Sequence, residues 1–403
     1  MESRVENSAS ELRPSVWQRV VKFMMNPRNL LLLGLVIVFV LTFLEVTRDR
    51  HNNFKIFAQS TQLFWGGIAP YGDNWNTMAP ELDYFLYGPL FNILFAPFAF
   101  APEWLGPFLW NIASFLLWFV AIFSLPRFTT EEKCKSFMFT FLLLATTQLS
   151  FQYNVAVGAM FLLTYNMLER GNSFWAVVLI LISGFTKIYG LFAIGLLFCY
   201  PVKQWWRYVV YALPVAALFL MAPAAGVPLS EVPAYYGEWV DALLSHKDTR
   251  TWTTFFYMKP FDLLPYQLYI QVGVLVALFA GILSNMRYRN VPFYRIGAFA
   301  VLVGYVILFS NSSERHTYVI SLIGYMMWYW AMRRAGAVTM FDKVLFWLLF
   351  AIVVVMPVDV LCPPVVMRIF FDATINLWLI VAMWLRVCYT TFVRVPTACL
   401  GFK

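Results

Sequence analysis

Long apolar runs alternate with short polar segments along almost the whole chain. A helix needs about 20 predominantly apolar residues to cross the hydrocarbon core of a bilayer, so each long run predicts a transmembrane helix. Since no water satisfies the backbone inside a bilayer, a helix is the form that such a run takes. The pattern predicts an all-α, polytopic membrane protein with about twelve spans. The expected spans are Asn29 to Val46, Leu105 to Leu125, Phe137 to Ser150, Val155 to Leu168, Phe174 to Thr186, Ile188 to Tyr200, Tyr208 to Pro223, Tyr266 to Ser284, Ile296 to Ser310, Tyr318 to Met332, Val344 to Val358 and Ile369 to Val387.

The composition supports this class of protein. Hydrophobic residues make up 61% of the chain and charged residues only 12%, whereas soluble domains contain roughly 25% charged residues. The formal net charge of +8 is expected from basic loops retained in the cytoplasm, and no nucleic-acid motif accompanies it. The five dispersed cysteines indicate neither a disulfide framework nor a metal site. We therefore expect membrane lipids around the protein and no nucleic-acid partner.

Basic residues set the expected orientation of the spans. Cytoplasmic loops are enriched in Lys and Arg. The basic loops all lie on the cytoplasmic side only if the segment Tyr84 to Phe100, which contains Pro89 and Pro97, does not cross the membrane. We expect this segment to be a helix in the outer interface of the cell (inner) membrane, with both termini in the cytoplasm. The basic loops are marked by Arg170, Lys203, Arg207, Arg287, Arg289, Arg295, Arg333, Arg334 and Lys343.

The same orientation predicts how the chain is divided. Residues 1–28 form a cytoplasmic segment without a cleavable signal peptide, residues 29–390 a single membrane domain, and residues 391–403 a cytoplasmic tail. The long extracytoplasmic loops are expected at 47–104 and 224–265. Shorter outer segments are expected at Gln148 to Asn154, at Lys187, at Ser310 to Thr317 and at Asp359 to Arg368.

The first long loop carries most of the residues suited to catalysis. Its carboxylates lie among aromatic residues, and a sugar is bound by aromatic faces for its C–H groups and by polar groups for its hydroxyls. A plain loop whose acids face water explains the same residues, although loops are also where function concentrates. The acids are Asp73, Glu81 and Asp83, and the aromatic residues are Trp65, Tyr71, Trp75, Tyr84 and Tyr87.

Other outer segments carry candidate anion-binding residues. Lys187 stands alone between two apolar helices in GFTKIYG, where it either snorkels to the interface or holds the phosphate of a lipid-linked donor. Glu314, Arg315 and His316 follow a helix end and form either a surface cluster or the rest of a phosphate clamp. Arg250, in the second long loop, either contacts an anionic acceptor or is solvated.

Several of these segments together resemble glycosyltransferase family 87. NNFKIFAQSTQLFWGGIAPY is similar to the family segment in which an Asp-Phe pair precedes an aromatic helix, a Gly-Gly turn and Pro-Tyr. LYGPLFNILFAPFAF resembles its Tyr-x-Tyr-Pro-Pro-Leu segment, and the lysine of GFTKIYG resembles its Lys-Pro-type turn. The resemblance implies a GT-C fold, a catalytic carboxylate in the first extracytoplasmic loop, and a polyprenyl-phosphate-linked hexose, often mannose, as donor.

One position departs from the family pattern. The Asp that precedes Phe in the family is Asn53 here, and an amide cannot accept a proton as a general base. We expect that the base has moved within the loop, to Asp83 first or Glu81 second. Asn53 is then expected to orient the acceptor hydroxyl. The other possibility is that transfer activity has been lost.

These observations lead to one expected function with two alternatives. We expect inverting transfer of a hexose from the lipid-linked donor to a lipid or glycan acceptor on the extracytoplasmic face. No Asp-x-Asp motif is present, so we expect no metal, and neither a cofactor nor an obligate protein partner is indicated. A flippase of lipid-linked sugars would need the groove and clamp without a base, and a scaffold or silent family member would need neither. The residues expected to contact substrates are Tyr71, Asp73, Tyr87 and Arg250.

Overall fold

The computed structural model describes residues 15–245, 254–310, 313–358 and 362–402, without the side chains of residues 315 and 364. In the part of the chain that it describes, the protein is helical and contains no strand. The all-α expectation is therefore confirmed. The α-helices are α1 Val16–Met24, α2 Pro27–Thr47, α3 Asn52–Trp65, α4 Gly72–Met78, α5 Leu90–Ala99, α6 Gly106–Phe123, α7 Thr130–Leu149, α8 Asn154–Glu169, α9 Ser173–Thr186, α10 Ile194–Leu197, α11 Trp205–Leu220, α12 Val232–Ser245, α13 Gln267–Ser284, α14 Pro292–Leu308, α15 Tyr318–Arg334, α16 Met340–Leu349, α17 Pro364–Asp372, α18 Ile375–Cys388 and α19 Thr397–Leu400.

The centre of the bundle is formed by α8, α14 and α15, whose residues are buried on nearly all sides. A helix that is apolar all round belongs in such a position, because no face of it needs water. The peripheral helices α2 and α13 are different, since few of their residues are buried inside the protein. In a membrane protein these exposed faces contact lipid.

Four described segments are long and apolar enough to cross a bilayer: Pro27–Thr47, Gly106–Phe123, Leu264–Ser284 and Ile375–Val393. Each overlaps one of the expected spans. The other expected spans coincide with shorter or more polar helices, so the count of about twelve is not confirmed. Helix α5 has 10 residues, a length of roughly 15 Å, which is about half of the hydrocarbon thickness.

Some expected boundaries were wrong for reasons of backbone geometry. The span expected at 369–387 is broken because Thr374 adopts a left-handed conformation with φ 56°, which few residues other than glycine favour. The run expected to be one helix from Ile188 is a 3-10 helix, Ile188–Ala193, followed by the short α10. The N-terminal segment expected at residues 1–28 contains α1, which begins at a Ser15 capping box.

A buried ion cluster joins several helices at the end of the bundle where the basic residues gather. The Glu169 carboxylate is fully buried and pairs with Arg127 and Arg295. It accepts hydrogen bonds from Arg127 Nε at 3.0 Å, from a terminal nitrogen of Arg295 at 3.1 Å and from the Tyr200 hydroxyl at 2.9 Å. Because the charge is fully paired, this cluster holds α8 to α14 and to the loop before α7.

Candidate functional site

The polar segments expected on the outer face come together in the fold. The N-terminus of α3, the turn before α8, the break after α9 and the segment before α15 meet in one polar cluster. Asn53 Nδ2 donates to the Ser150 carbonyl oxygen at 2.7 Å, and Ser150 Oγ lies 3.1 Å from His316 Nε2. Residues far apart in the sequence thus share one site.

Lys187 lies at the centre of this site. The backbone leaves the helical region at this residue, with φ −145° and ψ 112°, which separates α9 from the following 3-10 helix. Its ammonium nitrogen donates to Asn154 Oδ1 at 2.8 Å and lies 3.5 Å from the Tyr87 hydroxyl oxygen. The ammonium also lies 5.0 Å from the centre of the Tyr87 ring and 4.9 Å from that of Tyr189. These contacts hold a single cation between aromatic faces.

The surroundings of Lys187 change its ionisation. Burial disfavours the ammonium and lowers the pKa of Lys187 to about 8, while the Glu314 carboxylate opposes part of that shift. Among the described residues around it, Asn154, Tyr87 and Tyr189 carry no charge, and Glu314 supplies a negative charge. Lys187 is thus a cation whose charge is only partly balanced within the protein.

Glu314 and His316 stand beside this cation. Glu314 Oε2 accepts from Gln152 Nε2 at 3.1 Å and lies 3.4 Å from His316 Nδ1. The hydrogen bond from His316 lowers the pKa of Glu314, burial opposes it, and the charges of His316 and Lys187 add to the lowering. Glu314 is therefore a carboxylate at neutral pH. The Arg315 side chain lies outside the described residues.

An apolar groove of about 420 Å³ opens beside Lys187. One wall is formed by Leu268, Val272 and Leu275 of α13, the peripheral helix whose apolar face is exposed. The opposite wall comes from the 3-10 helix after Lys187 and from the end of α14, including Phe192 and Phe309. The groove therefore has an apolar, lipid-facing side and one ammonium group at its polar end.

The turn at Tyr87 is fixed against the end of α9. Gly88 N–H donates to the Thr186 carbonyl oxygen at 3.0 Å, and a Cβ atom at Gly88 would lie 2.1 Å from the Phe185 carbonyl oxygen. Only glycine allows this approach. The Tyr71 hydroxyl donates to the Tyr87 carbonyl oxygen at 2.7 Å, so this predicted substrate contact also holds the turn in place.

The candidate bases lie at the surface near this cluster. Asp83 is exposed, and its Oδ2 accepts from Asn52 Nδ2 at 3.3 Å. Glu81 is exposed in the preceding turn. Neither residue is among those that line the groove beside Lys187. A carboxylate at position 53 would face the Ser150 carbonyl without a proton to donate, which gives a physical reason for an amide at Asn53.

A second cavity, of about 700 Å³, lies between α4, the segment before Tyr87 and α12. Tyr71 and Asp73, two of the predicted substrate contacts, line this cavity. Leu86 lines both the cavity and the groove beside Lys187. Arg250, the remaining predicted contact, lies outside the described residues.

Sequence reasoning did not identify Asn154 and Tyr189 as site residues. Asn154 Oδ1 accepts from both Lys187 Nζ and the Tyr189 hydroxyl, each at 2.8 Å, so one amide oxygen orients two side chains. Only their positions in the sequence could have indicated them, because Asn154 ends an expected outer segment and Tyr189 closely follows Lys187. The residues of α13 that line the groove carried no signal, since they are ordinary apolar residues of a membrane helix.

Comparison with known protein families identifies a related family. The family model for glycosyltransferase family 87 matches residues 85–311, which include Tyr87, Asn154 and Lys187. The matched region begins after Asn53, Glu81 and Asp83. No curated protein and no solved structure matches the chain.

Proposed function

The chain belongs to glycosyltransferase family 87 and is therefore a membrane glycosyltransferase, and we propose that its donor is a hexose carried on a polyprenyl phosphate. The acceptor is a lipid or a glycan, and the sugar is mannose by analogy with the family. Transfer takes place on the extracytoplasmic face of the cell membrane, with inversion at the anomeric carbon. The fold is of the GT-C type.

One observation carries the choice of donor: the Lys187 ammonium stands at the polar end of an apolar, lipid-facing groove. A polyprenyl phosphate has a long apolar chain, which matches the apolar wall of the groove, and one phosphate, which matches the Lys187 ammonium. The partly balanced charge of Lys187 favours an incoming anion. A water-soluble nucleotide sugar has no long apolar chain to contact the wall formed by α13.

The chemical step that we propose is a single displacement. The acceptor hydroxyl oxygen attacks the anomeric carbon and forms the new C–O bond, while the bond between that carbon and the phosphate oxygen breaks. The electron pair of the broken bond leaves with the polyprenyl phosphate, whose charge Lys187 stabilises together with His316 or Arg315. The hydroxyl proton passes to a carboxylate, Asp83 or else Glu81.

Glu314 has a supporting part in this proposal. As an anion it would repel the donor phosphate if the two were in direct contact. It accepts a hydrogen bond from Gln152, which holds the segment before α15 against the turn before α8, and its charge favours the ammonium form of Lys187. Glu314 therefore orients the cations that contact the phosphate.

Transfer from a defined donor tests the proposal. Purified protein in liposomes is given radiolabelled hexose on a polyprenyl phosphate, or the same hexose on a nucleotide, with membrane lipid extracts as acceptor. We expect label in the lipid or glycan fraction with the polyprenyl donor only. Transfer from the nucleotide sugar alone would overturn the choice of donor, and binding of the lipid without transfer would favour a flippase.

A further inference from the structure

The cavity between α4 and α12 differs in chemistry from the groove beside Lys187. Its volume is about 700 Å³ and its wall carries carboxylates, amides and aromatic rings. Three acids line it, Asp73 from α4 and Glu238 and Asp241 from α12. No Lys or Arg is among the described residues that line it. The cavity is thus polar, and the charged residues in its described lining are acids.

Aromatic rings form the inner wall of this cavity. Tyr71 and Phe85 are stacked with ring centres 5.8 Å apart, and Trp75 lies against Phe85 at 6.2 Å. Trp75 is 1% exposed, and its Nε1 has no hydrogen-bond partner in the described part of the protein. A buried N–H group without a partner is unfavourable, and an acceptor atom from a bound molecule would satisfy it.

The acids on the wall are available to a ligand. Asp73, Glu238 and Asp241 form no ion pair with any described residue, and the described acids do not gather into a group that could hold a metal ion. Partial burial raises the pKa of Glu238, because burial disfavours the charged form of a carboxyl group. Carboxylates of this kind accept hydrogen bonds from hydroxyl groups.

The cavity meets the donor groove at one point. Leu86 lines both spaces, and its carbonyl oxygen accepts from Trp239 Nε1 of α12 at 3.2 Å. The Tyr71 hydroxyl, on the other side, holds the Tyr87 carbonyl. A molecule in the cavity and a lipid phosphate at Lys187 therefore approach each other across the Leu86–Tyr87 segment.

We propose that this cavity is the acceptor site and that it selects an uncharged sugar over an anionic one. The inference rests on the proposed function and adds the class of acceptor. Sugar rings stack on the aromatic wall, and their hydroxyls donate to Asp73, Glu238 and Asp241. A uronic acid or a phosphorylated headgroup is repelled, because three carboxylates face it and the described lining contains no Lys or Arg.

Direct binding tests the selectivity without relying on transfer. Saturation-transfer NMR on the purified protein in detergent measures the methyl glycosides of glucose, galactose and mannose, with methyl glucuronide as the anionic probe. We expect at least one neutral glycoside to bind roughly tenfold or more tightly than the glucuronide, the scale of a charge-assisted hydrogen bond. Equal or tighter binding of the glucuronide, or no binding of any neutral glycoside, would overturn the proposal.

Matched variants assign the binding to this cavity. Glu238→Gln and Asp73→Asn keep the side-chain shape, and each is expected to weaken the binding of the neutral glycoside roughly tenfold. Asp262→Asn changes an exposed acid outside the cavity, and it should leave binding unchanged. Unchanged binding in both cavity variants would place the sugar elsewhere.

The two proposals fail in different ways. If sugar binding depends on Glu238 but the protein transfers no sugar from a polyprenyl donor, the cavity still binds sugar and the proposed catalytic function is wrong. If transfer to a neutral acceptor occurs and is unaffected by Glu238→Gln and Asp73→Asn, the proposed enzyme activity is supported and the proposed acceptor cavity is wrong.

Discussion

The Lys187 ammonium nitrogen lies 2.8 Å from Asn154 Oδ1, and this bond joins the break after α9 to the first turn of α8. The same amide oxygen accepts from Tyr189. Lys187 is thereby held at the end of the bundle, where its charge faces the groove. Snorkelling alone would not require an amide in this position.

Replacing Lys187 tests its part in donor binding. Lys187→Ala should weaken the binding of polyprenyl phosphate by roughly 10- to 100-fold, because a charge-assisted hydrogen bond is worth about 1.5–3 kcal/mol. The measurement is titration of polyprenyl phosphate into detergent-solubilised protein. Lys343→Ala is the matched control, since Lys343 is an exposed lysine on α16. Equal affinities of the two variants would reduce Lys187 to a residue that only reaches the interface.

The pH dependence of donor use follows from the same residue. Burial lowers the pKa of Lys187 to about 8, so the ammonium is present below that pH and is lost as the pH rises through it. The donor phosphodiester stays monoanionic throughout. We expect kcat/KM for the donor to fall roughly tenfold per pH unit above about 8, because this parameter reports the ionisation of the free enzyme.

Lys187→Arg provides the control for the pH profile, because a guanidinium stays charged throughout this range. Its kcat/KM should be lower than that of the wild type and flat between pH 7 and 9. A wild-type profile that is equally flat would show that the ammonium is not what the donor requires.

The general base is tested in the first loop. Asp83→Asn should lower turnover by roughly 10²-fold or more, the scale of general-base catalysis, while donor binding stays intact. Glu81→Gln is the control for the neighbouring candidate, and both side chains are exposed, so folding should not change. Full activity of Asp83→Asn together with loss in Glu81→Gln would move the base to Glu81.

The buried Glu169 is expected to matter for stability. Glu169→Gln leaves Arg127 and Arg295 without their counter-charge, and breaking a buried ion pair destabilises a protein by about 3–5 kcal/mol. Thermal unfolding in detergent, followed by circular dichroism, should show a clear decrease in the transition temperature. The matched variant Glu131→Gln removes an exposed pair with Lys135, worth only about 0.5 kcal/mol. Similar shifts in both variants would contradict the structural part assigned to Glu169.

The orientation in the membrane is tested by single cysteines at exposed positions. In a background without Cys362 and Cys388, Asn74→Cys and Glu103→Cys should react with a membrane-impermeant maleimide from outside in intact cells. Lys343→Cys should react only after the membrane is opened. Labelling at Glu103 from the cytoplasm would mean that α5 belongs to a crossing segment and that the expected orientation is wrong.

The sequence was sufficient for the membrane class and for the grouping of polar segments. Apolar runs predict helices because the bilayer leaves no other way to satisfy the backbone, and the loop charges suggested that 148–154, Lys187 and 310–317 belong together. The structure brings Asn154, Lys187 and Glu314 into one cluster, while the side of the membrane stays a prediction.

The remaining features depend on contacts between distant residues. The break in the helix at Thr374 results from a left-handed backbone conformation, which the spacing of apolar residues does not predict. The cavity lined by Asp73 and Glu238 requires α12 to pack beside α4, and nothing local in either helix specifies that neighbour. The contact of Gly88 with the end of α9 is likewise invisible until both segments are in place.

The contact between Tyr87 and Lys187 also constrains how the protein is made. The two residues are 100 positions apart, and Gly88 has its hydrogen-bond partner only once Thr186 is in place. The turn at Gly88 therefore reaches its final contacts only after α9 has been synthesised and packed beside it. A chain that ends before α9 would hold the first loop but lack Lys187, so the cluster around that ammonium forms only once both parts of the chain have been made.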